Sequence, residues 1–243
     1  MMDVKIKGTA SKMPSQPKVD GWDLSFFNSG EWQVCDERLK DLEKINRKIG
    51  RDGYNPGRAS LFKALKIISQ DEVRVCIMGQ DPYPDGKYAT GVAFSIPDTF
   101  RQDEFPPTLS TFLKEYSTDL RLPIPNSGNL DKWTQSGVLL WNAIPSCLPG
   151  RSLSHDWPEW RLLTQEIVET LAKKGIAFAL LGQVARSYSR YINLANNCVI
   201  CTSHPSPRGS YASKTPFIGS RLFSTLNDHL NYLGLDTVDW KLP

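Results

Sequence analysis

The chain has 243 residues, of which 23% are charged and 40% are hydrophobic. This composition is typical of a folded globular protein and excludes a disordered one. No apolar run approaches the roughly 20 residues that cross a bilayer, and the five cysteines, an odd number, argue against a disulfide framework. We therefore expect no membrane span and a reducing compartment, the cytoplasm or, for a eukaryotic or viral protein, the nucleus.

The charge is unevenly distributed along the chain. The net charge of +3 divides into +7 for residues 170–227, which contain no Asp or Glu, and −4 for the rest. A surface of one sign is what binding to a polyanion such as nucleic acid requires. The alternative is that these charges scatter over the surface and face nothing in particular.

Helical and strand patterns alternate along the chain. Residues 1–20, rich in Lys, Ser and Pro, predict a flexible tail, and residues 21–243 predict a single domain. Helical spacing of apolar residues predicts helices at 36–49, 60–69, 109–120, 157–174, 184–195 and 218–233. Short apolar runs predict strands at 73–79, 137–142, 176–182 and 197–203. This alternation predicts a three-layer α/β/α fold around a four-stranded parallel sheet that is covered on both faces.

Ligands of such sheets bind beyond the carboxyl ends of the strands, so the segments at these ends form the candidate site. The first is GQDPYP at 79–84, in which two prolines stiffen a loop that carries the carboxylate of Asp81 and the phenol of Tyr83. A rigid loop of this kind suits preorganised chemistry. The alternative is a turn in which Asp81 only caps a neighbouring amide.

Two further strand ends carry polar groups. Asn142 ends the second strand, and its carboxamide matches the imide edge of a pyrimidine; alternatively, it bonds loop amides. HPSPRGS at 204–210 follows the fourth strand, and His204 can donate to a developing oxyanion. Arg208 lies at the apex, able to reach a phosphate or wedge into a base stack, and Ser206 and Ser210 add hydroxyl donors for phosphate. A proline-rich surface turn with an exposed histidine is the alternative.

No metal or cofactor site is expected. Cys198 and Cys201 have the spacing of half a metal motif, but residues three apart in a strand face opposite sides and no second pair exists. The sequence also lacks GxGxxG and GxxxxGK[ST], which argues against dinucleotides and nucleoside triphosphates.

Together the motifs resemble uracil-DNA glycosylase of the family-1 type, in order and with similar spacing from about residue 50 to Trp240. The matching motifs are GQDPYP at 79–84, VAFS at 92–95, PPTL at 106–109, GVLLWNA at 137–143, SLSH at 152–155 with Trp157 and Trp160, and HPSPRGS at 204–210. The resemblance implies hydrolysis of the N-glycosidic bond between uracil and deoxyribose in DNA, a step of base excision repair. It also implies a four-stranded parallel sheet, and no cofactor or metal.

Each role implied by the resemblance is chemically reasonable. Breaking the bond gives a cationic sugar and an anionic base. Asp81 matches the family's catalytic Asp, which positions the attacking water and stabilises the sugar. His204 matches the residue that donates to uracil O2, and the backbone amide of Gln80 would contact the same oxygen.

Three residues match the family's base-reading positions. Asn142 matches the reader of N3–H and O4, which rejects cytosine. Tyr83 matches the wall against C5, where the methyl group of thymine would clash. Phe94 matches the ring that stacks on the base after it is flipped out of the duplex.

The resemblance also implies loops that hold the DNA backbone, and four departures from the family pattern. The DNA-contacting positions are Pro106, Pro107, Thr108, Gly182, Gln183, Ser206, Pro207, Arg208 and Ser210. Pro84 replaces a His, Arg208 replaces a wedging Leu, Gln183 replaces a Ser, and Gly209 shifts the last hydroxyl by one position; the changes at 84 and 208 are poxvirus-like. They affect DNA handling and leave the base pocket intact.

The implied partners are single- and double-stranded DNA containing uracil, with the chain acting as a monomer, and proteinaceous inhibitors of the family are candidate partners. Two other functions remain open. One is a non-catalytic DNA-binding or replication-accessory protein that kept the fold, although such a protein has no need of Asp81, Asn142 and His204 together. The other is a glycosylase for another damaged base, against which Tyr83 argues when that base has a large C5 group.

Overall fold

Four parallel strands form the centre of the structure, a computed structural model that describes residues 21–49, 53–207, 209–211 and 213–243. The strands are β1 (Val75–Gly79), β2 (Val138–Asn142), β3 (Ala177–Leu181) and β4 (Cys198–Thr202). Their order in the sheet is β2-β1-β3-β4, and every neighbouring pair is parallel. The predicted α/β class with a four-stranded parallel sheet is confirmed. The tail predicted at 1–20 and the apex residue Arg208 lie outside the described residues.

Burial differs between the centre and one edge of the sheet. Every residue of β1 and β3, the two central strands, is buried, which explains their continuous apolar sequences. The prediction that all four strands are covered on both faces is wrong for β4, where four of five residues are only half-buried. Both β2 and β4 lie at an end of the sheet, but α3 (Lys63–Ile67) and α5 (Asp131–Gln135) pack on β2 and keep it buried, whereas the main packing partner of β4 is β3.

Eight α-helices are found among the described residues. They are α1 (Ser25–Asn28), α2 (Asp36–Ile49), α3 (Lys63–Ile67), α4 (Pro107–Leu120), α5 (Asp131–Gln135), α6 (Pro158–Ala172), α7 (Gln183–Arg186) and α8 (Leu222–Tyr232). Short 3-10 turns occupy Gln70–Glu72, Gln102–Glu104 and Ser187–Tyr191. Within the described ranges, no helix has both the length and the apolar character needed to cross a membrane.

Two predicted helices are at most half as long as expected. The helix predicted at 184–195 is the four-residue α7 followed by a 3-10 turn. Local bonds compete with helical ones there, because the Ser187 hydroxyl donates to the Val184 carbonyl at 2.7 Å and Arg190 Nε donates to the Ser187 carbonyl at 2.8 Å. The helix predicted at 60–69 is regular only over α3, preceded by turns.

Two carboxylates of α4 hold the start of α8. Glu115 is buried and accepts hydrogen bonds from the backbone N–H groups of Gly219 at 2.7 Å and Arg221 at 2.8 Å. Asp119 accepts the N–H of Ser224 at 2.8 Å. These bonds satisfy donors that a helix N-terminus leaves free. They also fix the segment that returns from the HPSPRGS loop into the core.

Candidate active site

A cavity of about 260 Å³ opens at the carboxyl end of the sheet. It collects side chains from segments that are far apart in the sequence. Its lining residues are Gln80, Asp81, Pro82, Tyr83, Pro84, Ala89, Thr90, Gly91, Val92, Phe94, Thr108, Asn142, Ser152 and His204. The carboxylate, the carboxamide and the imidazole that the sequence singles out therefore share one pocket.

Strand register brings these groups together. Gly79, the last residue of β1, pairs with Asn142 at the end of β2, so the amide lies beside the GQDPYP loop. Leu181 of β3 pairs with Thr202 of β4, and the Gly182 N–H donates to the Thr202 carbonyl at 3.0 Å. Because all four strands point the same way, their following loops meet at one edge.

Asp81 is held by donors from two loops. Its Oδ2 accepts the Leu153 N–H at 2.6 Å and lies 2.7 Å from the Ser152 hydroxyl. Its Oδ1 accepts Gln80 Nε2 at 3.0 Å and lies 2.9 Å from the Ser152 hydroxyl. Asp81 thus does cap a neighbouring amide, and it lines the cavity as well. The capping contact of the alternative is therefore present, and the chemical role of Asp81 stays a prediction.

His204 faces Asp81 across the pocket as a half-buried imidazole. Burial lowers the pKa of His204 below its ordinary value of 6.5, and the negative charge of Asp81 opposes this shift. The imidazole is therefore neutral near pH 7, and a neutral imidazole has one N–H to donate. Its ring centroid lies 6.2 Å from that of Phe94. The alternative of an exposed histidine on a surface turn is not what the structure has.

Asn142 presents a free amide to the cavity. Within the described ranges, the Asn142 side chain has no hydrogen-bond partner, so its carboxamide does not serve the loop amides and is available to a ligand. The neighbouring Gly79 makes room for it. A Cβ added at Gly79 would lie 2.8 Å from Asn142 Oδ1 and 2.9 Å from Phe94 Cζ.

We expect Gly79→Ala to impair the site without unfolding the chain. The added methyl group displaces the Asn142 amide and the Phe94 ring, and a shift of about 1 Å in a positioning group costs up to about 100-fold in rate. Single-turnover kinetics measure this loss. Gly57→Ala is the matched control, since nothing lies within 4 Å of a Cβ at that position. Equal rates for the two variants would contradict the expectation.

Tyr83 and Phe94 form one wall and the floor of the cavity. The Tyr83 hydroxyl donates to the Phe94 carbonyl at 2.9 Å, and burial raises the pKa of Tyr83 well above its usual value. Phe94 has a φ of 66°, a strained backbone conformation for a bulky residue. Its ring stacks on Phe112 at 4.8 Å and 9°, and Phe112 stacks on Phe217 at 5.6 Å. The floor is therefore rigidly backed.

The predicted DNA-contacting residues differ in accessibility. Thr108 lines the cavity near the start of α4, with Pro106 buried and Pro107 exposed before it. Gly182 is half-buried, and Gln183 is exposed.

The predicted DNA-contacting residues of the HPSPRGS loop also differ in solvent exposure. Ser206 is half-buried and Pro207 is exposed. Ser210 is fully buried, and its Oγ has no partner among the described residues, so a phosphate contact through this hydroxyl requires the loop to rearrange.

Seven lining residues were not among the predicted site residues, and two of them, Pro82 and Pro84, are the prolines of the GQDPYP loop. Ala89, Thr90, Gly91 and Val92 precede Phe94, and Ser152 begins the SLSH segment. Val92 and Ser152 lie inside the two motifs at 92–95 and 152–155, so their proximity to the site was available as a signal. The segment 89–91 carried none.

The cysteine pair at 198 and 201 is not part of the cavity. Both thiols are half-buried on β4, and burial raises the pKa of each. In the part of the chain that the structure describes, no group of three or more His, Cys, Asp or Glu residues is placed to hold a metal ion.

Sequence comparisons point to one family. The model of the Uracil DNA glycosylase superfamily matches residues 66–231. A uracil-DNA glycosylase of Coxiella burnetii is 36% identical to this chain over 208 residues, which cover 85% of this chain and 88% of that protein. A uracil-DNA glycosylase of Azotobacter vinelandii is 34% identical over 209 residues, with 85% and 87% covered.

Solved structures share the fold. Mimivirus uracil-DNA glycosylase aligns with a TM-score of 0.77 and 20% identity, covering 94% of this chain and 90% of that one. A substituted mimivirus UNG, solved in complex with UGI, aligns with a TM-score of 0.76 and 22% identity over 90% and 87% of the two chains. At this identity the likeness supports the fold alone.

Proposed function

The chain belongs to the uracil DNA glycosylase superfamily, and from this premise we propose that the cavity beyond the sheet is where it hydrolyses the N-glycosidic bond of uracil in DNA. The enzyme is a DNA-repair hydrolase that releases free uracil and leaves an abasic site. One observation carries the assignment of this cavity: Asp81, Asn142 and His204 line the same pocket. These are an acid, a reading amide and a hydrogen-bond donor for one base.

The chemistry divides between two charges. Water adds to the anomeric carbon of deoxyribose as the carbon–nitrogen bond breaks, and the electron pair of that bond leaves with uracil. Asp81 positions the water, accepts its proton and stabilises the positive sugar. Neutral His204 donates its N–H to uracil O2, where negative charge develops, and the Gln80 backbone amide adds a second donor. Donors fixed in advance favour the transition state over the bound substrate.

Recognition acts on a base that has left the duplex. Flipping costs a few kcal/mol, which stacking on Phe94 and hydrogen bonding to Asn142 offset. The Asn142 amide accepts a hydrogen bond from uracil N3–H and donates one to O4. Cytosine carries an amino group, a donor, in place of the O4 acceptor, so it does not match the amide. Tyr83 stands against C5, and its bond to the Phe94 carbonyl keeps the ring from retreating.

The proposal also covers the extent of the domain, its oligomeric state and its contacts with DNA. Lining residues drawn from positions 80 to 204 meet in one pocket, which supports a single glycosylase domain over residues 21–243, and we propose that this domain acts as a monomer. The substrate is single- or double-stranded DNA containing uracil. The residues that hold its backbone are Pro106, Pro107, Thr108, Gly182, Gln183, Ser206, Pro207, Arg208 and, once the loop has rearranged to expose it, Ser210.

Two further properties belong to the same proposal. A protein inhibitor is a candidate partner because a mimivirus relative was solved with UGI. The five cysteines, all free, support a reducing compartment, the cytoplasm or the nucleus.

Release of free uracil from defined oligonucleotides tests the proposal. The chain is incubated with strands that carry U, T or C at one site, and abasic sites are revealed by alkaline cleavage. We expect cleavage at U only, in single and paired strands, with no change on adding EDTA. Binding without release would indicate a non-catalytic DNA-binding protein, and release of another base would indicate a related glycosylase.

Tyr83→Ala is expected to admit thymine. Removing the ring opens the space beside C5, and discrimination against one methyl group in a packed pocket is worth about 10- to 200-fold. The ratio of thymine to uracil release should rise by about this factor. Tyr83→Phe is the matched control, because it removes the bond to Phe94 and keeps the wall. An unchanged ratio in the alanine variant would remove Tyr83 from base selection.

A further inference from the structure

Ser152 makes a contact with Asp81 that none of the roles above uses. Its hydroxyl lies 2.9 Å from Oδ1 and 2.7 Å from Oδ2 of the carboxylate. A hydroxyl has one proton, so it donates to one oxygen at a time. The Ser152 oxygen in turn accepts Gln80 Nε2 at 3.4 Å. Ser152 thus lies between the amide of Gln80 and the acid.

The backbone that follows Ser152 is held in a rare conformation. The next residue, Leu153, has a φ of 59°, in the left-handed region that bulky residues rarely adopt. This conformation points the Leu153 N–H at Asp81 Oδ2, at 2.6 Å. Strain of this kind persists where the surrounding structure maintains it, and such sites are often functional.

The GQDPYP loop itself supplies few hydrogen-bond donors to the Asp81 carboxylate. The side chain of Pro84 has no donor, and the Pro84 carbonyl accepts Asn55 Nδ2 at 2.7 Å and the Gly150 N–H at 2.9 Å. Within the loop, Gln80 is the described side chain that reaches Asp81. The orientation of the carboxylate therefore depends on the segment that begins at Ser152.

We propose that Ser152 is a positioning residue that fixes the orientation of the Asp81 carboxylate while positive charge develops on the sugar. Ser152 acts through Asp81 and not on the base. Hydrogen bonds to an ionised group are among the stronger ones in proteins, and a carboxylate held in advance need not reorganise during the reaction. The inference rests on the proposed function.

Ser152→Ala is the direct test. We expect kcat for uracil release to fall about tenfold, with KM and the affinity for DNA unchanged, because the lost contact does not involve the substrate. Ser152→Thr, which keeps the hydroxyl, should restore most of the rate. In an Asp81→Ala background, single-turnover kinetics should show no further effect of Ser152→Ala, since residues that act as a unit are not additive.

A nearby hydroxyl provides the control. Ser154 accepts the Leu148 N–H at 2.6 Å and donates to the Arg151 carbonyl at 2.7 Å, which ties the same loop together without touching Asp81. Ser154→Ala should lower the melting temperature and leave kcat within about twofold.

Three results would overturn the inference. They are an equal kcat loss in the Ser152 and Ser154 alanine variants, an unchanged rate in Ser152→Ala, or a full additional loss in the Asp81→Ala background. These leave the proposed function standing when the wild type releases uracil. A wild type that releases none would overturn both.

Discussion

Asp81→Asn should reduce the rate of uracil release by about 10³-fold. Asparagine is nearly isosteric and can still accept the Leu153 N–H, so the loop keeps its shape. The substitution removes the negative charge that stabilises the sugar cation and the base that accepts a proton from water. Single-turnover kinetics with enzyme in excess measure the chemical step directly.

Binding separates this effect from misfolding. The affinity for uracil-containing DNA should stay within about threefold of wild type, because the lost interaction is made chiefly in the transition state. The melting temperature gives a second check on the fold. A variant that binds normally and retains full turnover would exclude Asp81 from the mechanism.

His204→Ala has the second-largest expected effect. Removing one donor to a developing oxyanion typically costs about 10²- to 10³-fold in kcat, and His204 is the side-chain donor that we assign to uracil O2. His204→Gln, which restores an N–H at similar reach, should recover part of the loss. Equal rates for the alanine and wild-type enzymes would contradict the assignment of the imidazole to uracil O2.

The same residue contributes a pH dependence of stability. The pKa of His204 is lowered by burial in the folded state, so the unfolded chain takes up a proton first as the pH falls through 6.5. The free energy of unfolding therefore decreases below this pH, and above it His204 contributes nothing to the slope. His155, whose pKa is also lowered by burial, adds to the effect. Thermal melts between pH 7.5 and 5 should show a shallower decline for His204→Ala.

The central strands were predictable because their sequences are dictated by burial on both faces. The short, continuous apolar runs around β1 and β3 are typical of strands buried on both faces of a parallel sheet. Because ligands bind beyond the carboxyl ends of such strands, the runs also pointed to Asp81, Asn142 and His204 as site residues. The half-exposure of β4 was not predictable, since an edge strand and a central strand can have the same apolar composition.

Other features could not be predicted from apolar periodicity. The contact between Ser152 and Asp81 is accompanied by a left-handed backbone conformation at Leu153. Glycine is the usual sequence signal of that conformation, and there is none at this position. The burial of Ser210 contradicts the polar character of its segment, and the Ser187 and Arg190 bonds to backbone carbonyls shorten a helix whose apolar spacing was adequate. Ser152 thus finds its partner 71 residues away, Ser210 is buried with no partner for its Oγ among the described residues, and the side-chain bonds of Ser187 and Arg190 override a helical pattern that apolar spacing alone would predict.

Phe112 occupies an unusual position with respect to the cavity. It is fully buried in α4, yet its ring supports Phe94 on one side and Phe217 on the other, and the Phe217 N–H donates to the hydroxyl of Ser203, next to His204, at 3.0 Å. A single interior ring thus underlies both the surface that receives the base and the strand end that bears the imidazole. Variants with altered substrate range and an unchanged pocket lining are best sought at this core position.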